Sequence, residues 1–518
     1  KDVFEATLAV GLATHRVALA TTNQDLDQVA STLMTVLAQA AKASSPKPHK
    51  GRKKKTWWNK SLAKLSRSEL ERSHAYLQRK LQFAIRDSKR LFFGKKLEAV
   101  TETTVWDYAH WGTGRRKLPS PPLKHPLTGE PVSDLNEKAK IFHKAFFSRD
   151  DIAPAPYPNW IPQLPTQPNK QYTMPELRRQ VFGPSTSKAP GPSGLGFGIL
   201  RLAWAQTCHL QLHLANACKA TATHPRPLKA TVTPVIQKLG KASYDVPKSY
   251  RPIALLESIS KTHEGMAAAH MQYYILKDNL SPDQLACLQG RSTVDASANL
   301  MHIITKLREI PPDAGAYRRT HRRKITLVKF DIKGFFNSIP RARLIEHLHR
   351  KGIPKDLVQW IAAYLNGMRT TFRVDGIVSD KFDIEEGIPQ GSPLSPALAI
   401  IFTSDIKPFV RRYLSKIKGI SYAHLEELLM YVDDGLFVLW TGNKWERIAE
   451  LIPHLLAALN AWANSFGISI DPGKTEVMWL FPDGCSPPPP SPASTSWRRT
   501  LVNAYQCPIP KWQKSVQK

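Results

Sequence analysis

Asp433 and Asp434 stand side by side in Leu428-Leu-Met-Tyr-Val-Asp-Asp-Gly-Leu-Phe-Val-Leu-Trp440, between two apolar runs that are each long enough for a buried strand. Asp-Gly between such runs is a hairpin signal, and an ordinary turn accounts for it on backbone grounds alone. A metal site accounts for the paired acids as well. Adjacent carboxylates repel and raise each other's proton affinity, a cost that a divalent cation removes. Asp331 closes a third apolar run, Lys324-Ile-Thr-Leu-Val-Lys-Phe-Asp331. If that strand neighbours the hairpin, three carboxylates converge. Oxygen ligands with open positions describe a Mg²⁺ site, and two such ions clamp the attacking and leaving oxygens of an in-line phosphoryl transfer.

The elements that must position these acids follow from periodicity and turn residues. After the strand at 324–331 come helices over 341–350 and from about Pro354, then a hairpin around Asp375-Gly376. The run Glu386-Gly-Ile-Pro-Gln-Gly-Ser-Pro-Leu-Ser-Pro396 leads into an apolar helix to about Ile406, ahead of the Asp-Asp hairpin. An amphipathic helix over 445–466 and a strand reaching Leu480 close the pattern. Upstream, the sequence predicts a short helix from Tyr172, a glycine-rich loop at Ser187–Gly196, a strand at 232–236 and a helix over 255–276. The loop has neither Walker spacing nor a G-x-G-x-x-G motif.

The chain has 518 residues, enough for two or three domains, and 73 Lys and Arg against 42 Asp and Glu give a net charge of +31. Such an excess calls for a polyanionic partner, most simply nucleic acid. No apolar run approaches the roughly 18 residues of a membrane span. Residues 42–96 carry 18 Lys or Arg against 3 acids, about half of the excess positive charge. They include Arg52-Lys53-Lys54-Lys55 and Trp57-Trp58, and basic residues beside aromatics suit phosphate contact and base stacking. A solvated basic helix with a buried Trp pair is the alternative. Residues 1–45 are expected to form one amphipathic helix, and the proline-dense stretches 119–131 and 154–168 to be linkers around a helix at 136–147. The five cysteines are scattered and never spaced C-x2-C, which fits reduced thiols, nuclear or cytoplasmic, and no zinc site. With Lys1 first and no signal peptide, the chain is expected to be a fragment.

Residues 172–480 resemble the reverse transcriptase of a non-LTR (LINE-type) retrotransposon. The resemblance rests on seven segments in family order: Ser187-Lys-Ala-Pro-Gly-Pro-Ser-Gly194, Ser249-Tyr-Arg-Pro-Ile253, Gly290-Arg-Ser-Thr293, Phe330-Asp-Ile-Lys-Gly-Phe-Phe336, Gly387-Ile-Pro-Gln-Gly-Ser-Pro-Leu-Ser-Pro396, Tyr431-Val-Asp-Asp434, and Gly467 followed by Lys474-Thr-Glu476. It implies a mixed α and β, right-hand polymerase fold, with fingers (about 171–325) and a palm (about 326–480) whose antiparallel sheet packs on helices. A basic helical region (1–115), a Pro-rich linker (116–170) and a tail without assigned fold (481–518) flank it. The implied activity is RNA-directed DNA synthesis from a DNA primer and dNTPs on an RNA template, with two Mg²⁺ ions or Mn²⁺ as substitute.

Residue by residue, the resemblance implies that Asp331 and Asp433 bind both ions, assisted by Asp434 and the Ile332 carbonyl. Phe336 matches the steric gate against a ribose 2′-OH. Gln390 and Gly391 are expected against the incoming nucleotide, Arg251, Lys238 and Lys241 against its triphosphate or the template, and Arg291 against the template. Lys474 matches the lysine proposed to protonate pyrophosphate. A plain surface salt bridge is the alternative for Lys474 and Arg291. Trp57-Trp58-Asn59 is similar to the segment between endonuclease and polymerase in such elements. The chain departs from the pattern at Val432, where Ala is more usual, and at Cys287-Leu288-Gln289, where Phe-Arg-Pro is usual. No thumb motif is legible after Leu480. A non-catalytic nucleic-acid-binding remnant and an intron maturase-like reverse transcriptase are the rival readings.

Overall fold

The computed structural model describes residues 1–14, 23–45, 75–101, 120–147, 156–278, 280–309, 323–417, 425–441 and 445–480. Its two larger sheets contain nine strands: β1 (Ala230–Gln237), β2 (Tyr250–Pro252), β3 (Leu255–Leu256), β4 (Lys324–Asp331), β5 (Met368–Val374), β6 (Ile377–Ile384), β7 (Leu425–Tyr431), β8 (Asp434–Thr441) and β9 (Glu476–Leu480). One sheet is antiparallel in the order β9-β4-β8-β7. The other runs β2-β1-β5-β6 with β3 beside β1, and its β1–β5 pair is parallel.

Side chains of a strand alternate between faces, and this period decides the layering of the first sheet. Val328 and Phe330 of β4 turn into the main core, where Phe330 stacks on Phe437 of β8 with ring centroids 5.3 Å apart. The helices Ser395–Phe402 and Trp445–Phe466 supply Phe402, Trp462 and Phe466 to that core. Ile325 and Leu327 face the other way, against Ile304 and Leu307 of the helix Thr293–Arg308. Asp331 shares this second parity, so the alternation that fills the core also keeps the acid out of it.

The second sheet is covered by the helix Leu135–Phe147, whose Ile141 and Phe142 pack with Tyr250, Phe372 and Val374. Its β5–β6 hairpin turns at Asp375-Gly376, both at positive φ, as the Asp-Gly signal predicts.

Several elements differ from expectation for local reasons. Residues 1–45 contain two helices, Asp2–Thr14 and Asn23–Ser44, instead of one. The helix expected from Leu255 starts at Ser258, because Leu255 and Leu256 pair with β1. The apolar helix after Pro396 ends at Phe402 and a second, Ile406–Leu414, follows. Between them Asp405 is fixed by the Lys351 ammonium at 2.6 Å. The second proline-dense stretch is tied to its neighbours, since the Leu164 and Gln167 N–H groups donate to the Arg350 and Gly352 carbonyls, each at 2.8 Å.

Two compact units divide the chain. Lys1–Ser44 belongs with Pro121–Lys518, and Ser45–Ser120 forms the second unit, so the expected region 1–115 is divided at Ser44. The apolar stripe Leu26, Leu33 and Leu37 is the physical reason, because it is fully buried in the main core. The smaller unit contains the helix Ala75–Glu98, with basic Lys80, Arg86, Lys89 and Arg90 at its surface. Among the described residues no helix is long and apolar enough to cross a membrane.

Candidate metal and nucleotide site

Antiparallel pairing places Asp434, the first residue of β8, directly opposite Asp331, the last of β4. Asp433 lies in the turn just before. Carboxylate oxygens of all three lie within 4.8 Å of one another, Asp331 buried, Asp433 half-buried and Asp434 exposed. Burial, then the charges of Asp331 and Asp434, push the Asp433 carboxyl up to about 6. A hard divalent cation is the group that relieves this repulsion, and an all-oxygen set reached from one exposed side fits Mg²⁺.

The turn itself is not the one that Asp-Gly suggests. Tyr431 pairs with Asp434, so the two turn residues are Val432 and Asp433, and Val432 carries the positive φ of 62°. Gly435 already belongs to β8. Its lack of a side chain serves packing, because a Cβ there would meet the Phe330 ring at 2.1 Å. The glycine lets β8 close over a core aromatic and so sets the height of the two aspartates above it.

Ile332 is buried and bridges Ile470, and the neighbouring Asp471 N–H donates to the Asp331 carbonyl at 2.8 Å. This brings the 3-10 turn Pro472–Lys474 alongside, and Lys474 Nζ donates to Asp331 Oδ2 at 2.5 Å. That hydrogen bond, with the nearby Asp471 and Asp433 charges, holds the ammonium above its ordinary pKa. Lys329, one step inward on the same face, lies 3.8 Å from Asp434.

Phe336 lies in the short helix Phe335–Ser338, five residues beyond Asp331 and partly buried against the core. Its carbonyl accepts the Ile388 N–H at 2.7 Å, and the Gly387 N–H donates to the Ile339 carbonyl. A Cβ on Gly387 would strike Asn337 backbone at 2.7 Å, so this glycine permits the contact. Gln390 and Gly391 continue the same turn. The Gln390 carbonyl accepts the Ala254 N–H at 2.7 Å, and a Cβ on Gly391 would lie 2.5 Å from the Ala254 carbonyl oxygen. The turn is thereby docked three residues after Arg251.

Arg251 is exposed on β2, opposite Ile236 of β1. Lys238 follows β1 and gives a hydrogen bond to the Lys248 carbonyl. Its ammonium pKa is lowered, first by burial and then by the charges of Arg251, Lys241 and Lys474, with Asp331 acting oppositely. Lys238 thus feels the charges of three other cations and of Asp331, and of these cations Lys474 contacts the acid cluster directly. Arg291 is different: its guanidinium turns back to the carbonyls of Pro282 and Gln284. No salt bridge is formed by it among the described residues. Arg52, Lys53, Lys54, Lys55, Trp57 and Trp58 lie outside the described residues.

Sequence reasoning missed Gln284, a fully buried residue whose side chain reaches the Asp433-Asp434 hairpin at Val432. No local pattern marks it, because its partner is 148 residues away.

Against this geometry, comparison with known proteins is specific. Residues 236–516 match the model of the reverse transcriptase (RNA-dependent DNA polymerase) family. More than half of the chain is matched, and the chain belongs to that family. Its relatives are carried by transposons. A probable RNA-directed DNA polymerase from transposon BS of Drosophila melanogaster is 25% identical over 77% of this chain and 43% of its own length. The Pol polyprotein of type-1 retrotransposable element R1 from Bradysia coprophila is 23% identical over 82% of this chain and 41% of its own. The RNA-directed DNA polymerase from mobile element jockey of Drosophila funebris is 22% identical, covering 80% and 44%. The chain therefore spans less than half the length of each. An apo telomerase structure from Candida tropicalis is 12% identical at a TM-score of 0.36, covering 50% of this chain and 52% of that one. The likeness to LINE-type reverse transcriptases that the motifs carry is thus borne out.

Proposed function

We propose that the chain is an RNA-directed DNA polymerase that extends a DNA 3′-OH along an RNA template, releasing pyrophosphate. The observation that carries the proposal is the convergence of Asp331, Asp433 and Asp434 in a chain of the reverse transcriptase family. In this reading the sheet β9-β4-β8-β7 lies in the palm (about 326–480), the elements of 171–325 are the fingers, and the basic region is confined to Ser45–Ser120, residues 1–44 being part of the main unit. The residues 481–518 follow the palm. Arg52–Lys55, Trp57 and Trp58 belong to a nucleic-acid-binding arm. Reduced, scattered cysteines support an intracellular site of action, nuclear or cytoplasmic.

Asp331, Asp433 and the Ile332 carbonyl would hold two Mg²⁺ ions, or Mn²⁺, with Asp434 beside them. Bound there, the ions supply Lewis-acid neutralisation of the developing phosphoryl charge. The chain's own groups do the rest. Arg251, Lys238 and Lys241 bind the triphosphate of the incoming dNTP by charge-assisted hydrogen bonds. Gln390 and Gly391 form the floor under its base and sugar, and the Phe336 ring excludes a 2′-OH. The primer 3′ oxygen attacks the α-phosphorus, the bond to pyrophosphate breaks, and Lys474 Nζ gives its proton to the leaving oxygen. The primer hydroxyl proton leaves to solvent.

Primer extension on poly(rA)/oligo(dT) tests the proposal. The full chain incorporates dTTP with Mg²⁺, and Asp433→Asn abolishes it. Incorporation unchanged by Asp433→Asn sinks the assignment. Salt-dependent RNA binding without extension, with Mn²⁺ affinity intact, identifies a non-catalytic binder.

A further inference from the structure

Val432 holds a backbone conformation that a β-branched residue adopts at a cost, and it does so immediately before the metal-binding pair. A two-residue hairpin turn that begins at positive φ normally takes Gly, Asn or Asp there. Something outside the hairpin must hold Val432 in place. Gln284 is that group. Its Oε1 accepts the Val432 N–H at 2.9 Å and its Nε2 donates to the Val432 carbonyl at 3.4 Å, so both peptide groups of the strained residue are gripped by one amide. Gln284 has no solvent exposure, which fixes its rotamer by packing.

The grip is anchored from three sides. The flanking Asp283 carbonyl and Leu285 N–H bond to the N–H and carbonyl of Met430, at 2.9 and 2.8 Å, making residues 283–285 a short extra strand along β7. Lys407 bridges the Asp283 and Glu427 carboxylates and ties that strand to β7 from the side. Arg291 bonds the Gln284 carbonyl itself. This hydrogen bond braces the Gln284 backbone from behind.

We infer that Gln284 is a positioning residue for catalysis: it clamps Val432 in its left-handed turn and thereby sets the separation of the Asp433 carboxylate from Asp331. This rests on the polymerase reading for its role in turnover, but its effect on cation binding stands without it. A group that orients ligands from behind is worth roughly 10–100-fold in affinity or rate. Gln284→Leu keeps the volume and removes both hydrogen bonds. Glycine adopts positive φ without strain, so Val432→Gly makes the clamp unnecessary.

The test uses the full chain with two readouts, Mn²⁺ binding by titration calorimetry and kcat for dTTP on poly(rA)/oligo(dT). Gln284→Leu is expected to weaken Mn²⁺ binding and lower kcat, each by about 10-fold or more, with KM for dTTP changed far less. Gln284→Leu/Val432→Gly is expected to recover most of both losses. Gln284→Glu, which keeps the acceptor and the volume, should fall between. Wild-type Mn²⁺ affinity in Gln284→Leu overturns the inference, and so does a double variant no better than the single one. If Gln284→Leu fails to fold, undiminished Mn²⁺ affinity in Gln284→Glu overturns it and an intermediate loss upholds it. A wild-type chain that extends no primer while the Mn²⁺ pattern holds defeats the polymerase reading and leaves the clamp standing.

Discussion

Lys474 Nζ donates to Asp331 Oδ2 at 2.5 Å, so the lysine proposed as the proton donor is the counter-ion of a carboxylate proposed to bind metal. Asp331 raises the lysine's proton affinity, and the lysine in turn neutralises an acid that sits within a cluster of like charges. One ammonium therefore does for the cluster what a cation would do, and the two must compete. Lys474→Met is expected to move two measurements in opposite directions. Mn²⁺ should bind more tightly, because its competitor is gone, while kcat should fall about 10²-fold for want of a general acid. Titration calorimetry and single-nucleotide extension check this. A loss in both would mean that Lys474 is needed to build the site and does not compete for it.

Phe336 and the turn Gly387–Gly391 form one unit through the Phe336–Ile388 backbone bond. The ring's place is therefore set by the same loop that carries Gln390. Phe336→Val should leave dNTP incorporation largely intact and admit ribonucleotides, with discrimination lost by roughly 10–200-fold, the range for selection by shape alone. Competition between dTTP and UTP on the same primer reads the ratio. Unchanged discrimination would remove the gate from Phe336.

Gly435→Ala asks whether β8 must lie against the Phe330 ring. A Cβ would meet three ring carbons at 2.1, 2.3 and 2.8 Å, and Phe330 is fully buried and stacked on Phe437, so it has nowhere to go. Overpacking of this kind costs about 1–3 kcal/mol. The variant should melt several degrees lower and bind Mn²⁺ poorly, because the hairpin is lifted. Phe330→Leu in the same chain makes room and should restore the melting temperature. If it does not, the close approach is not what constrains position 435.

The part of the site carried by local pattern is legible in the sequence. Asp331 at a strand end, the paired acids in a hairpin, Asp375-Gly376 as a turn and the helices at 341–350 and 445–466 all follow from period and turn chemistry. What escaped was set by contacts distant in sequence. Asp434-Gly435 resembles a turn, but Phe330 on another strand claims the glycine for close approach, and the bend shifts to Val432. That shift is tolerable because Gln284 holds it, and nothing near Gln284 in the chain reveals the partnership. The hydrogen bonds of Arg291 to the Pro282 and Gln284 carbonyls, nine and seven residues before it, are not legible either, since no turn pattern marks that return of the chain. The start of the helix at Ser258 depended on a strand, β3, too short to be seen as one.

His263 gives the sharpest test of pH. It is fully buried in the helix Ser258–Lys277, with neither ring nitrogen hydrogen-bonded among the described residues, and burial pushes its pKa down to about 4. His347 is likewise depressed to about 4, and His224 is well below its ordinary value. A depressed histidine binds fewer protons folded than unfolded, so stability rises with pH through the window between the two values. The contribution is intact above about pH 6.5 and is lost as the pH falls towards 4. Buried Glu257 and Glu264, whose pKa values are raised, act in the opposite sense, which is why the wild-type slope alone cannot assign the effect. His263→Leu isolates it. With no hydrogen bond to lose, the variant should be about as stable as wild type at pH 7.5. At pH 4.5 it should be more stable by about 2–3 kcal/mol, the linkage expected for one such group. Urea denaturation at the two pH values checks the difference. Parallel pH profiles for variant and wild type would show that His263 takes up no proton on unfolding, and would place the acid sensitivity on His224 and His347.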